Sequence, residues 1–199
     1  RTPKISAAPE NILNSIKNQE IVVHLAAKIS VDESIENPNE TFDVNVNGTK
    51  NIIKWCKKNN IKKLIVASSA AVYGENTSQS KLKEISKTNP ISPYGESKLL
   101  MENEINKFQI KNSNLKCIIL RFFNIFGKGQ SSEYAGVITK FIEKISTNES
   151  IEIFGDGLQE RDFISVDDVI ESILNAIKNG TGGTYNIGNG KATTIKHLA

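Results

Sequence analysis

The chain has 199 residues, 38% of them hydrophobic, and its 25 basic and 22 acidic side chains leave a formal charge of +3. That composition suffices for one domain with a core and is too polar and evenly charged for a membrane or disordered protein. Basic residues come only in short groups such as Lys57 and Lys58, no apolar run approaches the ~18 residues of a spanning helix, and no signal peptide opens the chain, so neither nucleic acid nor membrane is an expected partner.

Taken in order, residues 20–27 (EIVVHLAA) predict a buried strand, followed by a loop. Residues 41–60 predict a helix with Phe42, Val46, Ile53 and Cys56 near one face and Lys50, Lys54, Lys57 and Lys58 towards solvent. Residues 62–69 (KKLIVASS), rich in β-branched side chains, predict the next strand. Ser92 as N-cap and Pro93 in the first turn open a helix expected to run to about Asn112. Strand 116–123, helix 135–146 and a helix opened by Ser165 follow, and residues 184–190 close as strand and turn. Asp168, three residues after Ser165, resembles the acid of a capping box, with Asp in place of the usual Glu or Gln. Short apolar strands alternating with amphipathic helices predict an α/β fold with a parallel sheet covered on both faces. Cys56 and Cys117 have neither CxxC spacing nor a nearby histidine, so they read as reduced core residues and point to a cytoplasmic protein. His24 reads as a packed strand residue, and two histidines are too few for a metal site. The chain opens on Arg1 and closes on TTIKHLA, which reads as a helix start, so a fragment of a longer protein is expected.

The pair Tyr94 and Lys98 stands at i, i+4 in the helix opened by Pro93, so both side chains can converge on one ligand. A free tyrosine with a pKa near ~10 is a poor base at neutral pH. Lowering it by about three units takes roughly 4 kcal/mol, which an ammonium about 4 Å away supplies at an effective dielectric near ~20. The plain alternative is an aromatic ring stacked on a lysine stem. Ser68 and Ser69 end the strand before, where an open parallel sheet places its ligand crevice, and a turn that satisfies its own backbone is their alternative.

HLAA (24–27), NVNGT (45–49), SSAAVYG (68–74), PYGESK (93–98), RFFNIFG (121–127), RDFISVDD (161–168) and YNIG (185–188) occur in one chain in this order. Together they resemble the extended short-chain dehydrogenase/reductases, specifically the nucleotide-sugar epimerase/dehydratase group and within it the UDP-glucose 4-epimerase type. The resemblance implies a Rossmann-type doubly wound sheet whose first strands and glycine-rich fingerprint lie upstream of residue 1. It also implies a dinucleotide-binding portion over residues 1–122, and substrate-binding segments over 123–199 interleaved with the last Rossmann helix and strand. It implies a catalytic set of Ser69, Tyr94 and Lys98. It places Ala26, Ala27, Asn45, Ser68 and Phe122, with Tyr94 and Lys98, around an NAD cofactor, and Phe123 near the nicotinamide. Asn124 and Arg161 are then expected on the substrate diphosphate and Phe154 beside the nucleotide base, with Ser69 on the sugar.

Where 4,6-dehydratases of this group carry an acidic pair after the catalytic Ser or Thr, this chain has Ala70 and Ala71, and two methyl groups transfer no protons. Decarboxylases of the group usually have Glu at the position of Ala71. The resemblance therefore implies epimerisation at C4 of a nucleotide sugar, most simply a UDP sugar, by transient oxidation with NAD, Tyr94 acting as base. The alternatives are an NADP-dependent dehydratase or reductase and a catalytically dead dinucleotide sensor. A homodimer through helices 41–60 and 93–112 is also implied, with Ile105 and Phe108 as compatible apolar contacts that fit an ordinary core face equally well.

Overall fold

The computed structural model describes residues 19–75, 81–111, 114–130 and 136–199. Its main sheet has the order β1 (Ile21–His24), β2 (Lys63–Ser69), β3 (Lys116–Phe122) and β6 (Gly183–Ile187), with every neighbouring pair parallel. The strand register sets His24 opposite Val66, Ser69 opposite Phe122, and Phe122 opposite Ile187. The carboxyl ends of all four strands therefore lie along one edge, as the α/β pattern predicts.

Alternation along β2 divides the core. Leu64 and Val66, with Cys117 and Ile119 of β3, face one layer, while Ile65, Ile118 and Leu120 face the other. The first layer is helix α3 (Gly48–Lys58), through Ile52, Ile53, Trp55 and Cys56, together with α4 (Pro93–Lys111), through Met101 and Ile105. The second is α6 (Val166–Asn179), through Ile173, Ala176 and Ile177. Both cysteines are buried free thiols, pushed up to about 12 by burial. Ile105 is 0% exposed and Phe108, half-buried, packs against the same cluster. Of the two readings of this face, the core one holds for Ile105, which is not available to a dimer contact.

The segment expected as one helix over 41–60 is three pieces: α2 (Pro38–Phe42), a π-helical turn (Asp43–Asn47) and α3. The wide turn centres on Asn45, whose side-chain amide is tied to two other segments; a π turn inside a helix often marks a functional region. The expected loop after β1 contains α1 (Val31–Glu36), capped by Ser30, whose Oγ accepts from Glu33 N at 3.1 Å. Ser92 Oγ accepts from Gly95 N at 3.1 Å, the capping bond expected where α4 begins. The expected helix ends at Asn112 and Ala135 lie outside the described residues.

At Phe123 the chain leaves the main sheet for a smaller one, β4 (Asn124–Phe126), β5 (Glu160–Ser165) and β7 (Ala192–Thr194), with α5 (Val137–Ser146) between its first two strands. A four-residue helix, α7 (Ile195–Leu198), begins in the TTIKHLA stretch. Ser165 caps α6 by accepting from Asp168 N at 3.1 Å, and its hydroxyl donates to Asp168 Oδ2 at 2.7 Å. The shorter Asp binds the capping hydroxyl itself, where the Glu of a capping box would reach back to the backbone. Among the described residues no helix is long and apolar enough to cross a membrane, and no group of three or more His, Cys, Asp or Glu is placed to hold a metal ion.

Candidate active site

Two close approaches bring the catalytic candidates together. After β2 the chain makes a 3-10 turn (Ala70–Tyr73) capped by Ser69, whose Oγ accepts from Ala71 N at 3.1 Å. The first turn of α4 packs directly on it: a Cβ on Gly95 would sit 2.7 Å from Ala71 O, so only glycine lets helix and turn meet. Gly74, at φ +71°, ends the turn where a Cβ would lie 1.9 Å from Asn89 O. The result sets the Ser69 hydroxyl close enough to Tyr94 to favour the charged form of its phenol. Ser69 thus both satisfies its own turn and faces the tyrosine.

Lys98 is buried and donates from Nζ to Ala67 O at 3.0 Å, with Nζ 5.9 Å from the Tyr94 ring centroid. Burial brings it down to about 8, against the opposing attraction of Glu102. This arrangement corrects one expectation. Burial pushes Tyr94 up, and the group that acts to lower it is Ser69, not the ammonium, which is held on the Ala67 carbonyl. The protein groups alone do not make Tyr94 a phenolate.

Two residues expected on the cofactor have hydrogen-bond partners within the protein. Asn45 is 1% exposed; its Oδ1 accepts from Lys28 N at 2.8 Å, and its Nδ2 donates to Lys28 O at 3.0 Å and to Ser97 Oγ at 2.9 Å. Ser97 in turn donates to Tyr94 O at 2.7 Å, and Tyr94 N donates to Ser34 Oγ at 3.1 Å, so Asn45 and Ser34 hold the turn that carries the tyrosine. Ser68 is buried and donates to Glu102 Oε1 at 2.5 Å, which leaves its hydroxyl no proton for a ligand. Sequence spacing identified both positions, but partner choice depended on segments 17 to 52 residues away. Ala26 is exposed and Ala27 half-buried just after β1, leaving the backbone there approachable, and Phe122 packs on the α6 side of the sheet.

The third set meets in one cavity of about 560 Å³ between β4, α5 and the loop before β5. Asn124, Phe154 and Arg161 all line it. Asn124 Nδ2 donates to Asp162 O at 2.9 Å, Arg161 Nη1 donates to Glu160 O at 2.8 Å, and Phe154 is 83% exposed at the rim. Lys140 and Lys144, one turn apart on α5, line it too. Sequence reading missed them; the signal was two lysines at i, i+4 flanking the buried Phe141. Asp162 accepts from Asn189 N and Gly190 N at 2.7 and 2.8 Å through its two carboxylate oxygens.

His24 stands at the end of β1 with Nε2 3.2 Å from Thr49 Oγ1. The Thr49 proton goes to Asn45 O at 2.7 Å, which makes His24 the donor and places its proton on Nε2. Burial, and secondarily the Lys98 charge, hold it down at about 4 from 6.5. Since the unfolded histidine binds its proton first, this stabilisation is complete above pH 6.5 and is lost as pH falls towards 4. The loss over that window is expected to be on the order of 2–3 kcal/mol. Urea unfolding at about pH 5 and about pH 7 should show it in the wild type and not in His24→Gln, which keeps the donor without titrating. Equal pH slopes in the two proteins would refute the assignment.

The comparisons with known proteins agree with this geometry. Residues 6–188 match the model of the NAD dependent epimerase/dehydratase family. A putative UDP-glucose 4-epimerase of Methanocaldococcus jannaschii is 42% identical over 186 residues, covering 92% of this chain and 60% of that protein. Among solved structures, the UDP-N-acetylglucosamine 4-epimerase from Methanobrevibacter ruminantium in complex with UDP-N-acetylmuramic acid superposes with a TM-score of 0.89 at 39% identity, over 97% of this chain and 62% of that one. The UDP-glucose 4-epimerase of Thermotoga maritima with UDP-glucose superposes with a TM-score of 0.90 at 34% identity, over 96% and 63%. A UDP-N-acetyl-alpha-D-glucosaminuronate decarboxylase and an NDP-hexosamine 5,6-dehydratase are also similar. This chain spans about 60% of the length of such relatives.

Proposed function

Since this chain belongs to the NAD-dependent epimerase/dehydratase family, we propose that it carries the catalytic set and the diphosphate site of a UDP-sugar 4-epimerase. The observation that carries the reading is the turn after β2. Ser69 faces Tyr94 there, while the next two positions are the methyl groups of Ala70 and Ala71. That set can move one proton at a hydroxyl, and it has no second acid to eliminate water.

The residues present fit NAD. A buried lysine already oriented by a carbonyl, and small side chains at the open end of β1, suit a ribose and a close-lying dinucleotide backbone. Ala26, Ala27, Tyr94, Lys98 and the end of β3 at Phe122 would hold it; Asn45 and Ser68 would act from behind. When bound, the cofactor supplies a two-electron acceptor and a cationic ring. Tyr94 takes the proton of the sugar O4 hydroxyl and later returns it. Ser69 hydrogen-bonds that oxygen as it becomes a carbonyl, and the Lys98 ammonium stabilises negative charge on the phenol. For the configuration at C4 to change, the site would have to let the keto sugar present its other face before Tyr94 returns the proton. Residues 1–122 belong to the dinucleotide portion in this reading, and 123–199 mainly to the substrate portion.

On the substrate side, Arg161 and Asn124 take the diphosphate and Phe154 stacks on the base. Arg161→Ala is expected to weaken UDP binding by about 10- to 100-fold, the value of a charge-assisted contact. Calorimetry with UDP measures it, and a change below about twofold would remove Arg161 from the site. A homodimer through the outer faces of α3 and α4, with the exposed Leu100 replacing Ile105 and Phe108 as its apolar contact, and a cytoplasmic location complete the proposal. Sedimentation of the full-length protein tests the first.

The function itself is tested by incubating the full-length protein with UDP-glucose and following the sugar by proton NMR. The galactose epimer, formed without net reduction of added NAD, is the expected result. A 4-keto-6-deoxy product, or net NAD reduction, would replace the epimerase with a dehydratase or a dehydrogenase.

A further inference from the structure

Behind the catalytic candidates lies a charged cluster that the proposed reaction does not use. Glu102 is 2% exposed and Arg121 6% exposed. Arg121 binds the carboxylate through Nη2 to Oε2 at 2.6 Å and through Nε to both oxygens at 3.0 and 3.3 Å. Its Nη1 donates to the Tyr73 hydroxyl at 2.8 Å and to Glu84 O at 3.2 Å, and Tyr73 donates onward to Asn186 Oδ1 at 2.6 Å. Ser68 donates to Glu102 Oε1, so the carboxylate receives hydrogen bonds from β2 and β3 together. Stability alone does not call for such a pair, because well-packed apolar side chains of similar volume serve as well or better. Its placement suggests another use. Glu102 lies one turn beyond Lys98 on the same face of α4. Its partner Ser68 stands between Ala67, whose carbonyl holds Lys98, and Ser69, which holds Tyr94.

We propose that Glu102 is a positioning residue for this site, locking the end of β2 to α4 so that the Lys98 ammonium stays seated on the Ala67 carbonyl beside Tyr94. The proposal rests on the reading of Ser69, Tyr94 and Lys98 as the catalytic set. The groups that face Lys98 are Tyr94 and Glu102 from its own helix, His24 from β1, and Arg121 from β3 behind Glu102. Glu102 is the anion among them. Without it Lys98 loses an attraction and gains an unpaired guanidinium nearby, and both changes favour the neutral amine, a weaker donor to Ala67 O and no counter-charge for a phenolate.

The test is Glu102→Gln in the full-length protein. Its kcat is expected to fall about tenfold with KM for the sugar nucleotide within about twofold, and the alkaline limb of the rate profile to move down by about one pH unit. Lys98 is also titrated directly by NMR of lysine-labelled protein, assigned with Lys98→Arg, and its midpoint is expected to fall by about one unit. If Glu102→Gln does not fold, the paired replacement Glu102→Leu with Arg121→Met removes both charges, and its Lys98 midpoint should still lie below that of the wild type. A wild-type midpoint in the folded variant overturns the proposal whatever the turnover, and so does a shifted midpoint with an unchanged rate profile. A wild-type protein that turns over no nucleotide sugar, while the midpoint shifts as expected, overturns the proposed function and supports the positioning role.

Discussion

Replacing Tyr94 by Phe is expected to lower kcat of the full-length enzyme by about a thousandfold, roughly 4 kcal/mol of barrier, which lies within the usual contribution of a positioned general base. The fold should not notice. The ring still packs under Lys98, the backbone bonds to Ser34 and Ser97 are untouched, and the approach at Gly95 depends on the glycine. Equal thermal midpoints and equal NAD content in the two proteins would establish that only the phenol has gone. A loss smaller than about tenfold would remove Tyr94 as the base, because a positioned base contributes about a hundredfold or more. The free chain offers a companion observation: since burial pushes this phenol up, no Tyr94 phenolate should form below the ordinary tyrosine range until a cationic ligand is added.

Arg121→Met is expected to destabilise the protein by about 3–5 kcal/mol. The methionine fills much of the volume, but Glu102 is left buried without its guanidinium partner, with Ser68 as its remaining side-chain hydrogen-bond donor, and the Glu84 carbonyl loses the guanidinium. For a domain whose whole stability is about 5–15 kcal/mol, that loss would bring it close to unfolding. Glu102→Leu added to it should restore most of the difference, since the cost lies in the unpaired charge. Urea midpoints of the single and double variants measure this directly. A single variant within about 1 kcal/mol of the wild type would mean that water reaches the carboxylate and that the cluster is not sealed.

The Arg121 cluster also explains why the motifs occur together. Ser68 and Tyr73 come from SSAAVYG, Arg121 from RFFNIFG and Asn186 from YNIG, while Glu102 lies one turn past PYGESK. These segments cross at one buried point, so their side chains must match one another as well as any ligand. Of the two arginines among the described residues, Arg121 is therefore a structural anchor on Glu102, whereas Arg161 lines the cavity.

The sequence by itself determined the β/α alternation, the strands of the main sheet, the capped starts of α4 and α6, and the family. The first three depend on period and capping residues, which act within a turn or two of chain. The family, and with it the expectation that Ser69, Tyr94 and Lys98 act together and that Asn124, Phe154 and Arg161 share one ligand, came from the resemblance of the ordered motifs. Only the tertiary structure decided which polar groups were already taken. Ser68 turned to Glu102, Asn45 to Lys28 and Ser97, and Ile105 to the core, while Lys140 and Lys144 came to line the cavity. It also set the Lys98 ammonium on the Ala67 carbonyl, 5.9 Å from the Tyr94 ring centroid. A side chain's spacing sets the face it occupies, but its partner is whatever distant segment packs against that face, and burial then sets its charge through desolvation that no local pattern encodes.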